Sequence, residues 1–136
     1  MKSQNALRVL IAKPGLDSHD RGTKILAAGL RDAGLEVIYL GVCNNPDMIA
    51  RTAIDEDVDV LCLSTHTGAP VPKTRRVMEL LAEAGVQDMT VLCGGIIPDT
   101  DIPSLRQMGV KAVFQPMVPV REVVNYIKDN VKPRNG

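Results

Sequence analysis

Short runs rich in β-branched residues and leucine alternate along the chain with stretches whose apolar residues recur at helical spacing, and this alternation restricts the fold more than any other feature. Leu7 to Ala12, Glu36 to Leu40, Asp59 to Leu63, Thr90 to Cys93 and Lys111 to Gln115 read as five strands. Helices are expected at about 22–33, from Asn45 and Pro46 onward, and at about 71–84, 101–108 and 120–131. Asn45 followed by Pro46 is N-cap and first-turn chemistry, and Gly34, Gly85 and Gly109 stand where a helix ends on a left-handed residue. The last helix carries Val120, Val123, Val124, Ile127 and Val131 on one stripe before Pro133 stops it.

Strands that each pass into a helix lie parallel, because a parallel neighbour is reached only by a crossover, and such crossovers are right-handed. The expected architecture is α/β and flavodoxin-like (Rossmann-like): a five-stranded parallel sheet of order 2-1-3-4-5 with helices on both faces. A length of 136 residues corresponds to a single domain, with its core at about 7–131, and is too short to include a second, substrate-holding domain. In this topology the loops at the carboxyl ends of strands one and three flank the crevice where ligands bind.

Three segments converge there. Lys13-Pro14-Gly15-Leu16-Asp17-Ser18-His19-Asp20-Arg21-Gly22 follows strand one and is long for a strand-to-helix connection. Ser64-Thr65-His66-Thr67-Gly68-Ala69-Pro70 follows strand three, and Gly94-Gly95-Ile96-Ile97-Pro98-Asp99 follows strand four. Several ligand chemistries are excluded by what is missing. A phosphoryl-receiving domain needs acidic residues after strand one and an aspartate after strand three, where this chain has Lys13 and Ser64. Neither the dinucleotide spacing G-x-G-x-x-G nor a P-loop occurs. Sixteen basic against sixteen acidic residues and 2% aromatic content provide neither the charge nor the stacking surface of a nucleic-acid binder.

The cysteines, Cys43, Cys62 and Cys93, are odd in number and widely spaced, so neither a disulfide framework nor a zinc site is expected. Residues 1–8 lack the apolar stretch of a signal peptide, and no run approaches the roughly 18 apolar residues of a membrane span. The expectation is a soluble, cytoplasmic protein without a membrane or nucleic-acid partner.

His19 with Asp17 two residues before it remains. A metal-ligating imidazole commonly passes its second N–H to a carboxylate, although the same pair also occurs in solvated surface turns. A hydrolase using Asp17, His19 and His66 around a divalent ion is a further reading, but the residues show no three-ligand spacing.

Asp17-x-His19-x-x-Gly22, followed by Ser64 after strand three and the Gly94-Gly95 pair, resembles the cobalamin-binding domain of B12-dependent mutases and methyltransferases. The wider string from Lys13 to Gly22 is similar to the acyl-CoA mutase branch, which acts on methylmalonyl-CoA, isobutyryl-CoA or 2-hydroxyisobutyryl-CoA. The similarity runs from Arg8 to about Val131. It implies that the corrinoid binds base-off, with a histidine beneath cobalt and the nucleotide tail in a slot between sheet and helices. His19 is then the lower cobalt ligand, Asp17 its orienting carboxylate and Lys13 the support of that carboxylate. Gly15, Leu16, Ser18, Asp20, Arg21 and Gly22 complete the cofactor loop. Ser64 hydrogen-bonds the tail beside Thr65, His66 and Gly68, Gly94 and Gly95 line the slot, and Phe114, Gln115, Pro116 and Met117 end it.

Two positions depart from the family pattern. His66 replaces a usual leucine, and Phe114-Gln115-Pro116-Met117-Val118 replaces a Gly-Pro-Gly-Thr turn. The resemblance further implies adenosylcobalamin as cofactor and radical rearrangement of an acyl-CoA carbon skeleton. It also implies a separate TIM-barrel large subunit holding the substrate, so that this chain is inactive alone. The competing reading is a stand-alone corrinoid carrier or sensor without mutase activity.

Overall fold

The computed structural model describes residues 6–14, 21–41, 45–65 and 70–133. Strands β1 (Arg8–Ala12), β2 (Glu36–Tyr39), β3 (Val60–Thr65), β4 (Thr90–Gly95) and β5 (Ala112–Phe114) form one sheet of order β2-β1-β3-β4-β5. All its pairings are parallel. Helices α1 (Arg21–Asp32), α2 (Pro46–Asp55), α3 (Pro70–Glu83), α4 (Ile102–Gln107) and α5 (Val120–Asn130) make the crossovers, with a 3₁₀ turn at Asp99–Asp101 leading into α4. The strand order and the helical layers agree with the sequence expectation.

Local chemistry explains the boundaries. The Asn45 side chain accepts the Met48 N–H at 2.7 Å, satisfying a donor that the first turn of α2 leaves open. Gly34, Gly85 and Gly109 follow α1, α3 and α4 with positive φ. At the amino edge of the sheet the fully buried Asp59 carboxylate accepts the Arg8 N–H at 2.9 Å, capping a backbone donor that the ladder would otherwise orphan.

Side chains alternate between two cores. Leu10, Ala12, Leu61, Leu63, Val91 and Cys93 pack against α2, α3 and α4 through residues such as Ile49, Val77 and Leu105. Val9, Ile11, Val60, Cys62 and Leu92 pack on the other face, against α1 and α5 through Ala27, Leu30, Val123 and Ile127. The α5 stripe is thus core-facing at Val123 and Ile127. Gly29 lies where α1 meets α5, because a Cβ on it would overlap Val120 Cγ1.

One difference from the sequence reading bears on the site. β3 and β4 continue two residues beyond their expected ends, so that Ser64 pairs with Gly94 and Thr65 with Gly95 in the ladder. These four residues are strand rather than loop. The glycines remove the side chains that would hold the two backbones apart, and pairing persists to the edge of the sheet.

Candidate functional site

A cleft of about 360 Å³ opens at the carboxyl edge, on the sheet face covered by α1 and α5. Its walls are Gly22, Thr23, Ile25 and Leu26 of α1 on one side, and Val118, Pro119, Val120 and Val123 at the start of α5 on the other. The sheet contributes Cys62, Ser64, Leu92, Gly94 and Phe114, and Gln115 and Pro116 continue the wall beyond β5. The volume is in the range of small-molecule sites, and the lining is largely apolar with a few polar groups, as such sites are.

The two glycines of β4 have different reasons to be glycine. A Cβ built on Gly94 has Phe114 O at 3.6 Å as its nearest neighbour, which is ordinary contact. A side chain at this position would therefore occupy the cleft and not the protein. Gly95 has φ +111° and its Cβ would overlap the Thr65 carbonyl oxygen. Backbone geometry alone demands glycine there, whereas the sequence reading attributed both to the slot.

The polar groups around the cleft are held in place. Thr23 Oγ1 and Tyr39 Oη lie 3.0 Å apart, tying the first turn of α1 to β2. Gln115 Nε2 donates to the Ile97 carbonyl at 3.0 Å, and the Val118 N–H donates to the Gln115 carbonyl at 3.1 Å. That second bond closes a β-turn with Pro116 at its second position, where proline's fixed φ belongs. Met117, in the same turn, is 92% exposed and is not part of the cleft wall. Thr65 is buried with its hydroxyl unpartnered, and strand alternation directs it to the opposite face from Ser64.

Lys13, at the end of β1, is fully buried and engaged in a polar interaction. Lysine is rarely buried unless paired. Gly15, Leu16, Asp17, Ser18, His19, Asp20, His66 and Gly68 lie outside the described residues, as does the side chain of Arg21. The structure therefore brings together Ser64, Gly94, Gly95, Phe114, Gln115 and Pro116 of the expected set, with Gly22 at the α1 end.

Cys62 and Cys93 are buried free thiols on opposite faces of the sheet, Cys62 at the inner end of the cleft and Cys93 in the core against α3. Burial pushes the Cys62 thiol up to about 12, with Cys93 adding to the rise. Burial likewise raises Cys93 to about 11, offset in part by its hydrogen bond with Thr74. Both are neutral at physiological pH and act as small apolar surface. Among the described residues no three His, Cys, Asp or Glu side chains gather as a metal site. Among the described residues no helix is long and apolar enough to cross a membrane.

Sequence reasoning missed the contributions of Thr23, Ile25, Leu26, Cys62 and Val123. Ile25 carried a usable signal: it is a large apolar residue half-exposed on α1, beside the cleft.

Comparison with known proteins bears on what fills the cleft. A family model described as B12 binding domain matches residues 7–125. The 2-hydroxyisobutanoyl-CoA mutase small subunit of Aquincola tertiaricarbonis is 42% identical over 133 residues, 98% of this chain and 98% of its own. The pivalyl-CoA mutase small subunit of Xanthobacter autotrophicus is 41% identical over 89% of this chain and 81% of its own. The methylmalonyl-CoA mutase of Escherichia coli is 36% identical over 90% of this chain, which spans only 18% of that protein. Among solved structures, a cobalamin-binding protein from Desulfitobacterium hafniense superposes with a TM-score of 0.79 at 18% identity, over 92% of this chain and 59% of that one. The receiver domain of the putative response regulator NarL from Mycobacterium tuberculosis gives 0.70 at 16%, over 91% and 94%. At such identities both likenesses show the fold alone.

Proposed function

Since the chain belongs to the B12 binding domain family, we propose that it is the cobalamin-carrying small subunit of an adenosylcobalamin-dependent acyl-CoA mutase. The observation that carries this reading is the cleft between the sheet and helices α1 and α5, where Gly94 leaves open the volume that a side chain would fill. A nucleotide tail needs such a slot: apolar walls for its heterocycle and a few fixed polar groups for its ribose and phosphate. Ser64, Gly94, Phe114, Gln115 and Pro116 would hold the tail.

In this reading His19 would hold the cobalt, since imidazole suits transition ions, and Asp17 would accept its second ring N–H and fix the tautomer. Lys13, buried where β1 gives way to that loop, would hold the carboxylate. When bound, the adenosyl cofactor supplies the radical that rearranges the acyl-CoA carbon skeleton. This chain's task would be to seat and orient the cofactor and to exclude water around its tail, which the apolar walls of the cleft favour.

The acyl-CoA itself requires a closed chamber beside the cleft proposed for the cofactor tail. A large TIM-barrel subunit would supply it. Two relatives named as small subunits match most of this chain, and longer mutases contain its counterpart within one polypeptide. Ile25, Ile96 and Met117, exposed on or next to cleft-lining segments, offer an apolar surface for a partner to cover.

The test is the absorption spectrum of the protein titrated with adenosylcobalamin, followed by addition of a large subunit and branched acyl-CoA thioesters. Uptake with histidine ligation, changed to an unligated spectrum by His19→Ala, and turnover in the complex are expected. Failure of the protein to take up any corrinoid would refute the reading. Uptake without turnover would leave the carrier or sensor function in its place.

A further inference from the structure

The end of the cleft beyond β5 is held by a side chain and not by secondary structure. β5 stops at Phe114, and the next residue, Gln115, reaches across to the segment after β4 and donates from Nε2 to the Ile97 carbonyl at 3.0 Å. The acceptor is firmly anchored. Ile97 is 3% exposed within the core on the opposite face of the sheet, and its neighbour Ile96 donates its N–H to the Thr65 carbonyl at 2.9 Å. The donor side is equally constrained, because the Gln115 carbonyl closes the turn to Val118 and Pro119 opens α5 directly afterwards. One amide thus ties a five-residue connection, Gln115 to Pro119, to the rigid end of β4.

Gln115, Pro116, Val118 and Pro119 all line the cleft. The other hydrogen bonds of this connection are within its own turn, from Val118 N–H to Gln115 O, and into the first turn of α5, from Glu122 N–H to Pro119 O, so among the described residues the Gln115 amide is its side-chain tie to β4. The width of this part of the cleft therefore follows from the Gln115 to Ile97 distance.

We propose that Gln115 is a positioning residue that fixes the width of the cleft by clipping the β5–α5 turn to the Ile97 carbonyl, and so selects which heterocycle the cofactor tail can carry. This rests on the cobalamin reading above and adds a specificity determinant to it. The residue acts through the wall it holds: a rigid slot discriminates between ring systems of different size and polarity, and a slot free to widen does not.

The experiment compares the wild-type chain with Gln115→Ala and Gln115→Glu. The glutamate preserves shape, but an ionised carboxylate has no proton to donate to Ile97 O. Three probes are titrated spectrophotometrically: cobinamide, which lacks the nucleotide tail, cobalamin with its dimethylbenzimidazole base, and the analogue with an adenine base. Circular dichroism verifies the fold of each variant.

Loss of one positioning hydrogen bond corresponds to about a tenfold weakening. Both variants are expected to bind cobinamide as the wild type does, to bind the preferred tailed corrinoid about tenfold more weakly, and to show a reduced preference between the two bases. An unchanged preference between the bases, or an equal loss for cobinamide, overturns the proposal. If the wild type binds none of the three probes, the cobalamin reading itself has failed. If it binds them and the variants behave identically to it, only the role of Gln115 has.

Discussion

Replacing Gly94 with valine separates folding from ligand binding, because the two respond in opposite directions. Gly94 sits in the ladder between Ser64 of β3 and Phe114 of β5, where glycine costs about 0.5–1 kcal/mol relative to a residue with a side chain. An added Cβ meets nothing closer than Phe114 O at 3.6 Å, and its φ is outside the left-handed region, so neither clash nor strain offsets the gain. The free protein should be unchanged or stabilised by up to about 1 kcal/mol, since β-branched residues suit strands. The valine methyls, however, project into a cleft of about 360 Å³ that the cofactor tail is proposed to fill. Overpacking a filled site costs about 1–3 kcal/mol, which is roughly a five- to 150-fold loss of affinity. Urea unfolding of the free protein and spectrophotometric titration with cobalamin measure the two quantities, and cobinamide, which has no tail, should bind as before. A Gly94→Val protein that is destabilised by more than about 2 kcal/mol, or that binds cobalamin with wild-type affinity, would refute the assignment of this volume to the ligand.

Gly95→Ala, one residue on, should behave in the reverse manner: a strained backbone costs about 1–3 kcal/mol and the overlap with the Thr65 carbonyl adds to it, so the free protein loses stability in urea whether or not a ligand is present. Wild-type stability in that variant would show that the two strand ends can separate without cost. The buried thiols make a pH prediction. With Cys62 near 12 instead of 9.0, its thiolate fraction at pH 8 falls by about 10³, and alkylation of the native protein should be slower than in denaturant by at least that factor. The folded state holds these protons more tightly than the unfolded chain, so their contribution to stability is complete below pH 9.0 and is lost as pH rises toward about 11 for Cys93 and about 12 for Cys62. The slope is at most about 1.4 kcal/mol per pH unit for each thiol, and a double Cys62→Ala, Cys93→Ala variant should lack it.

Much of the scaffold is legible in one dimension because its causes are local. Apolar runs of strand length, amphipathic stretches at helical period, Asn45-Pro46 at a helix start and glycines just past helix ends each depend on residues within a turn or two of one another. Parallel pairing and the strand order follow from the handedness of the crossovers. The strand ends were misjudged for a related reason: Ser64-Thr65 and Gly94-Gly95 have the composition of loops, and only their mutual pairing makes them strands.

By itself, then, the sequence determined the alternating α/β scaffold, the edge at which the cleft opens and the loop residues resembling a corrinoid site. Only the tertiary structure decided what shapes the cleft. Its two helical walls come from opposite ends of the chain, its floor from strands brought together by the sheet, and its far end from an amide of Gln115 that finds the Ile97 carbonyl. It also decided that adjacent glycines serve different ends, since Gly94 faces empty volume and Gly95 a carbonyl oxygen. The physical reason is the range of the interactions. Helical and strand periodicity is written in the spacing of near neighbours, whereas a cleft is the space left between elements, and its width depends on contacts that no local pattern records.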